Sequence, residues 1–130
     1  MVKEADKIQD RAFEFACRIV RLTEFLSRRS FVARTIARQI LRSGTSVGAN
    51  LEEASAAQSK PDFISKCCIA TKEARETHYW LRLLTASRSI RRERLQPLID
   101  EANEIVAVLT TIVKNASRSP HRHSTSNIQH

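Results

Sequence analysis

Arg42-Ser43-Gly44-Thr45-Ser46-Val47-Gly48-Ala49-Asn50-Leu51-Glu52-Glu53-Ala54 contains both glycines of the 130-residue chain, and its conformation decides the fold. Taken by itself, Gly-Thr-Ser-Val-Gly reads as a loop. Yet the helical period runs through it unbroken, with Ile36, Ile40, Val47, Leu51 and Ala54 along one face and Gly44 on the same seam. Read as helix over Phe31 to Ala57, Gly44 and Gly48 become small residues that let a neighbouring helix approach closely, each at a cost of about 1 kcal/mol. A loop over 44–48 is the competing reading.

Outward from this segment the pattern is helical on both sides. Towards the N-terminus, Ile8, Phe15, Ile19, Leu22 and Leu26 form one stripe over Ala5 to Leu26, Ser27-Arg28-Arg29-Ser30 makes a turn, and Ser30 is placed to cap the next helix. Towards the C-terminus, Lys60-Pro61-Asp62 reads as a stop and a start, with Asp62 as cap. The third helix, Asp62 to Ser87, presents Ile64, Cys67, Cys68, Thr71, Ala74, His78, Leu81 and Leu84. The fourth, Arg91 to Ala116, presents Leu95, Leu98, Ile99, Ala102, Ile105, Val106, Leu109, Ile112 and Val113. Short connections make successive helices antiparallel neighbours, so the expected fold is all-α: an up-down-up-down four-helix bundle over 1–116. Residues 117–130 hold one apolar side chain and are expected to form a disordered polar tail.

Composition narrows the function classes. Two glycines leave little for hairpin turns or phosphate-cradling loops, and neither G-x-x-x-x-G-K-[ST] nor G-x-G-x-x-G occurs. No apolar run is long enough for a membrane span and the first residues do not read as a signal peptide, so a cytoplasmic location is expected. Cys17, Cys67 and Cys68 lack metal-ligand spacing and read as small buried hydrophobes, so no metal or other cofactor is expected. Of the 22 basic residues 16 are arginine, and the net charge is +8. In an up-down-up-down bundle residues 21–42 and 82–100 meet at one end. They hold Arg21, Arg28, Arg29, Arg34, Arg38, Arg42, Arg82, Arg88, Arg91, Arg92 and Arg94 against Glu24, Glu93 and Asp100, eleven minus three, which accounts for the whole +8.

Three blocks carry a family resemblance: Arg42 to Ala54, Asp62-Phe63-Ile64, and Ala70-Thr71-Lys72-Glu73-Ala74-Arg75-Glu76-Thr77-His78-Tyr79-Trp80-Leu81. With Ile19-Val20-Arg21-Leu22-Thr23, the chain resembles, over about Phe15 to Val113, the bacterial four-helix-bundle family encoded in intervening sequences of 23S ribosomal RNA genes. The resemblance implies a homopentamer around a central axis. It also implies kinship with the accessory variability determinant of diversity-generating retroelements, a pentamer that engages a reverse transcriptase and nucleic acid. Carried over residue by residue, it points to Arg42, Ser46, Asn50 and Glu53 on the second helix and Glu73, Glu76 and Tyr79 on the third.

Spacing gives these residues a structural role of their own. Steps of four, four and three on one helix, and of three and three on the other, put each set on one face, where the polar groups can pair across the interface and fix register and subunit contact. Catalysis is not expected: Glu73 and Glu76 could act as an acid and base, but no nucleophile or oxyanion donor accompanies them, and Arg75 stands where a di-iron Glu-x-x-His would need its glutamate. Tyr79 and Trp80 point about 100° apart, so one of them leaves the bundle core and suits a subunit interface, unless Trp80 simply caps its own core.

The Arg34, Arg38, Arg42 row reads either as a solvated helix face or as a phosphate-contacting stripe. Five basic ends facing one way would sum to about +40, enough to attract a polyanion with strong salt dependence. Arg28, Arg29, Arg34, Arg38, Arg88, Arg91, Arg92 and Arg94 are therefore the candidate nucleic-acid contacts, and Phe25 and Phe31 are too few aromatics to support strand stacking. The expected function is a non-enzymatic oligomeric scaffold whose basic rim binds RNA, DNA or a nucleoprotein. The alternative is an adaptor for an acidic protein surface.

Overall fold

Helices occur where apolar residues recur at steps of three and four: α1 (Glu4–Leu26), α2 (Phe31–Ser55), α3 (Lys60–Ala86) and α4 (Arg92–Arg118). The computed structural model describes residues 4–87 and 89–118, with side chains from residue 7. The expected tail therefore lies outside the described residues beyond Arg118, and α4 carries two residues of it, Ser117 and Arg118, in its last turn.

α2 runs unbroken through Gly44 and Gly48, which sets the loop reading aside. Close packing explains Gly44, where a Cβ would lie 2.9 Å from Cγ1 and Cγ2 of Ile19, but it does not require Gly48, where a Cβ would lie at an ordinary 3.6 Å from the Ala12 backbone. Between them, Thr45 and Ser46 satisfy their hydroxyls within the helix by donating to the Leu41 and Arg42 carbonyls one turn back.

Ser30 caps α2 as expected, its Oγ accepting from the Ala33 N–H at 3.1 Å. At α3 the cap is Ser59 rather than Asp62: Ser59 Oγ accepts the Asp62 N–H at 3.2 Å. Pro61 thus opens α3 instead of ending α2, in a first turn where its missing N–H would have had no helical partner. Pro97, exposed in the second turn of α4, lacks the N–H that would bond the Glu93 carbonyl.

Each helix packs against its two neighbours, and α4 closes the ring on α1. The pairings run antiparallel around it: Ile19 meets Gly44 while Ala12 meets Gly48, and Arg42 reaches Glu76 while Glu53 reaches Lys66. The α1–α4 seam is the thinnest, and Arg11 fastens it with two parallel bonds to Glu101 at 2.8 and 2.9 Å. Phe15, Ile19, Leu26, Ile40, Leu81, Leu84, Leu95, Ile105 and Leu109 fill the centre. Of the cysteines only Cys67 is buried; Cys17 is half-buried and Cys68 is exposed. Adjacent helical residues point about 100° apart, and here the core-facing stripe of α3 takes in Cys67 and leaves Cys68 outside it.

Candidate nucleic-acid interface

Two polar regions come out of this packing, a seam between α2 and α3 and a basic end. In the seam, Arg42 bonds Glu73 at 3.2 Å and also Glu76, while Glu76 Oε2 accepts the Trp80 indole N–H at 3.0 Å. Nearer the other end of α2, Glu53 pairs with Lys66 at 2.9 Å, and that bond raises the Lys66 pKa. The pairs that cross the seam therefore involve Arg42, Glu53, Glu73 and Glu76. Ser46 and Asn50 do not cross: Ser46 donates to the Arg42 carbonyl at 2.7 Å and the Asn50 amide to the Ser46 carbonyl at 2.9 Å. Their polar atoms are taken up by backbone one turn back.

The seam also holds a buried pair that the motif reading missed, Ser43 Oγ and Thr77 Oγ1 at 2.7 Å. Thr77 spends its single proton on the Glu73 carbonyl at 2.8 Å, so Ser43 is the donor between them. The signal was present: Ser43 is in phase with Ile40 and Val47, and Thr77 with Ala74 and Leu81. A hydroxyl on a core stripe needs a partner, and Thr77 finds it in the Glu73 carbonyl while Ser43 finds it in Thr77.

At the basic end, the α1–α2 and α3–α4 turns meet over one aromatic ring. The Arg94 guanidinium lies 3.9 Å from the Phe25 ring centroid and that of Arg29 lies 5.2 Å away. These three residues, with Ile90, Arg91 and Glu93, line an open cleft of about 460 Å³. Arg28, Arg34, Arg38 and Arg92 are exposed but do not line it, Arg34 and Arg38 following along the first two turns of α2 and Arg92 donating to Gln96 Oε1 at 3.2 Å. Arg88 lies outside the described residues. Arg42 does not belong to this end: its charge is spent on Glu73 and Glu76 halfway along α2. Among the described residues, no carboxylate pairs with Arg28, Arg29, Arg34, Arg38, Arg91, Arg92 or Arg94. What sequence spacing could not show is that Phe25 holds one arginine from the α1–α2 turn and one from the first turn of α4, because Phe25 and Arg94 are brought together only by closing the ring.

Tyr79 and Trp80 divide as their angular separation requires. Trp80 packs half-buried on its own core, whereas Tyr79 stays 49% exposed, edge-on to the indole at 5.2 Å between centroids. Glu73 and Glu76, the candidate acid and base, are both tied to Arg42. No helix among the described residues is long and apolar enough to cross a membrane, and no three His, Cys, Asp or Glu side chains there converge as a metal site would need.

Comparison with known proteins bears on the whole bundle. The crystal structure of a protein with unknown function from the S23 ribosomal protein family, from Bacteroides thetaiotaomicron VPI-5482, is similar to this chain, with 46% sequence identity and a TM-score of 0.80 over 86% of this chain and 99% of that one. No curated protein matches. The family described as 23S rRNA-intervening sequence protein matches residues 4–111, from the first turn of α1 to well into α4. Because that match takes in all four helices and both polar regions, the chain belongs to the 23S rRNA-intervening sequence protein family.

Proposed function

We propose that this chain is a non-enzymatic assembly protein that forms an oligomer of itself, a pentamer on the family resemblance, and binds a nucleic-acid backbone, free or in a nucleoprotein, through its basic end. The observation that carries the reading is the meeting of both turns' arginines at one end without a carboxylate partner among the described residues. Arginine suits this task because its planar fork of donors matches phosphate oxygens and it is only weakly hydrated. Such contacts are sequence-neutral and fix position rather than base identity.

Self-assembly is supported by apolar side chains left uncovered on single helices: Phe13 is 67% exposed, and Val20 shares its face of α1 two turns on. Leu41 and Tyr79 are also exposed. Assembly would multiply the basic end and steepen its salt dependence.

The test is filter binding of the full chain to RNA and to DNA across a salt series, with Arg91→Ala/Arg92→Ala and Arg88→Ala/Arg91→Ala/Arg92→Ala variants. Affinity should fall with salt and fall again in the variants. Unchanged affinity in both variants removes the basic-end reading, and a nuclease-resistant complex with an acidic protein would favour the adaptor in its place. Light scattering at micromolar concentration checks assembly, and a mass of one chain refutes it.

A further inference from the structure

The cleft at the basic end has a more specific construction than a charged surface requires. Arg29 reaches it from the α1–α2 turn, Arg94 from the first turn of α4 and Arg91 from just before α4, and all three line a space open to solvent with Phe25 and Ile90 as its apolar wall. A guanidinium over a ring face uses its own face for that contact and keeps its edge N–H groups for a ligand. Phe25 therefore holds Arg94, and less closely Arg29, in place before any ligand arrives. That lowers the ordering cost a mobile arginine would bear on binding.

Resting on the basic-end reading above, we propose that this cleft is a phosphate site: it receives one phosphodiester group of a nucleic-acid strand between Arg29, Arg91 and Arg94, with Phe25 as the positioning residue. The ring is not a platform for bases. Its near face is taken by Arg94 at 3.9 Å, so recognition is of the backbone and carries no base preference. Three guanidinium groups confined to one cleft repel one another, and an entering anion relieves that repulsion. Glu93, also lining the cleft, opposes the anion and so limits its affinity. Arg28 and Arg92, exposed on the flanking turns, continue the positive surface along which neighbouring phosphates of the same strand would lie.

The experiment measures binding of the full chain to a labelled mixed-sequence RNA oligomer and, in parallel, to a labelled polyglutamate peptide, across a salt series. Glu93→Gln should bind RNA about 3- to 10-fold more tightly, a gain that misfolding cannot produce. Phe25→Leu keeps every charge, so affinity should drop by a similar factor while the slope of log K against log salt stays as it was. Arg94→Ala should weaken binding and flatten that slope by roughly 0.7–0.9 for each phosphate the variant no longer neutralises. Circular dichroism of Phe25→Leu confirms that its helices persist.

Wild-type affinity in both Glu93→Gln and Phe25→Leu, together with weaker binding by Arg91→Ala/Arg92→Ala, would overturn the cleft while leaving the basic-end reading in place. Wild-type affinity in every arginine variant would overturn both. Polyglutamate bound as tightly as RNA, with the same response to Glu93→Gln and Phe25→Leu, would make the site one for carboxylates and overturn the phosphate assignment.

Discussion

Replacing Gly44 with alanine sets two effects against each other whose sizes can be worked out from the α1–α2 packing. Alanine should stabilise the helix by about 1 kcal/mol relative to glycine. Its methyl, however, would stand 2.9 Å from both Cγ atoms of Ile19 and 3.3 Å from its Cβ, against an optimum carbon separation of about 3.5–4.0 Å. Ile19 is fully buried and β-branched, so it has little rotamer freedom with which to withdraw. Inserting a methylene into a packed core costs about 1–3 kcal/mol, so Gly44→Ala should be neutral to about 2 kcal/mol destabilising.

Gly48 is the internal control. An added Cβ there meets its nearest atoms at 3.6 Å, an ordinary separation, so Gly48→Ala should gain up to about 1 kcal/mol. Urea denaturation followed by helical circular dichroism at one fixed protein concentration measures both, the concentration being held because an oligomer's midpoint depends on it. With a urea dependence of about 1–3 kcal/mol per molar, the two midpoints should separate by roughly 1 M. Ile19→Ala in the Gly44→Ala background should show favourable coupling, whereas Ile19→Val keeps both clashing Cγ positions and should show little. A Gly44→Ala protein as stable as Gly48→Ala would refute the close-approach account of Gly44.

Other parts of the molecule yield equally direct expectations. At the buried hydroxyl pair, Thr77→Val strands the Ser43 hydroxyl and should cost about 1–3 kcal/mol, more than Ser43→Ala, which leaves Thr77 bonded to the Glu73 carbonyl; chemical denaturation of each single variant and of the double checks the order. Burial pushes the Cys67 thiol up to about 11, with Cys68 beside it adding to the effect, so a thiol reagent near neutral pH should label exposed Cys68 and spare Cys67, as mass spectrometry of the native protein will show. His78 has its pKa lowered from 6.5 by burial and by Arg82, against a smaller opposing effect of Asp100. The folded state thus binds that proton less readily than the unfolded state, so His78 contributes stability that is present above pH 6.5 and lost as pH falls through its lower folded value. His78→Gln should flatten that part of a stability-against-pH curve, and an unchanged curve would refute the assignment.

The four helices were legible because their cause is local and periodic. Apolar residues at helical spacing, Ser30 before α2, and the unbroken period through Gly44 and Gly48 each act within a turn or two of chain. The error at α3 was also local: Ser59 and Asp62 are both capping types, and which one caps depends on where the backbone leaves the extended region, a choice Pro61 shifts towards Ser59. Charge was legible in the main, since short connections between antiparallel helices bring the α1–α2 turn and the start of α4 to one end, although Arg42, counted with them, is spent on Glu73 and Glu76 halfway along α2.

Partners were a different matter, because residues far apart in the chain meet only when the bundle closes. Sequence spacing placed Arg42, Ser46, Asn50 and Glu53 in one row, but side-chain length and local carbonyls decided that Arg42 and Glu53 cross to α3 while Ser46 and Asn50 turn back on their own helix. The Arg11–Glu101 fork, the Ser43–Thr77 pair and the setting of Arg29 and Arg94 on Phe25 all depend on which helix faces join. By itself the sequence determined the helices, their order and the end that carries the positive charge, since periodicity, capping and net charge add up along the chain. Only the tertiary structure decided which charges are spent inside the bundle and which stay available at its end, since pairing depends on distances that exist only after packing.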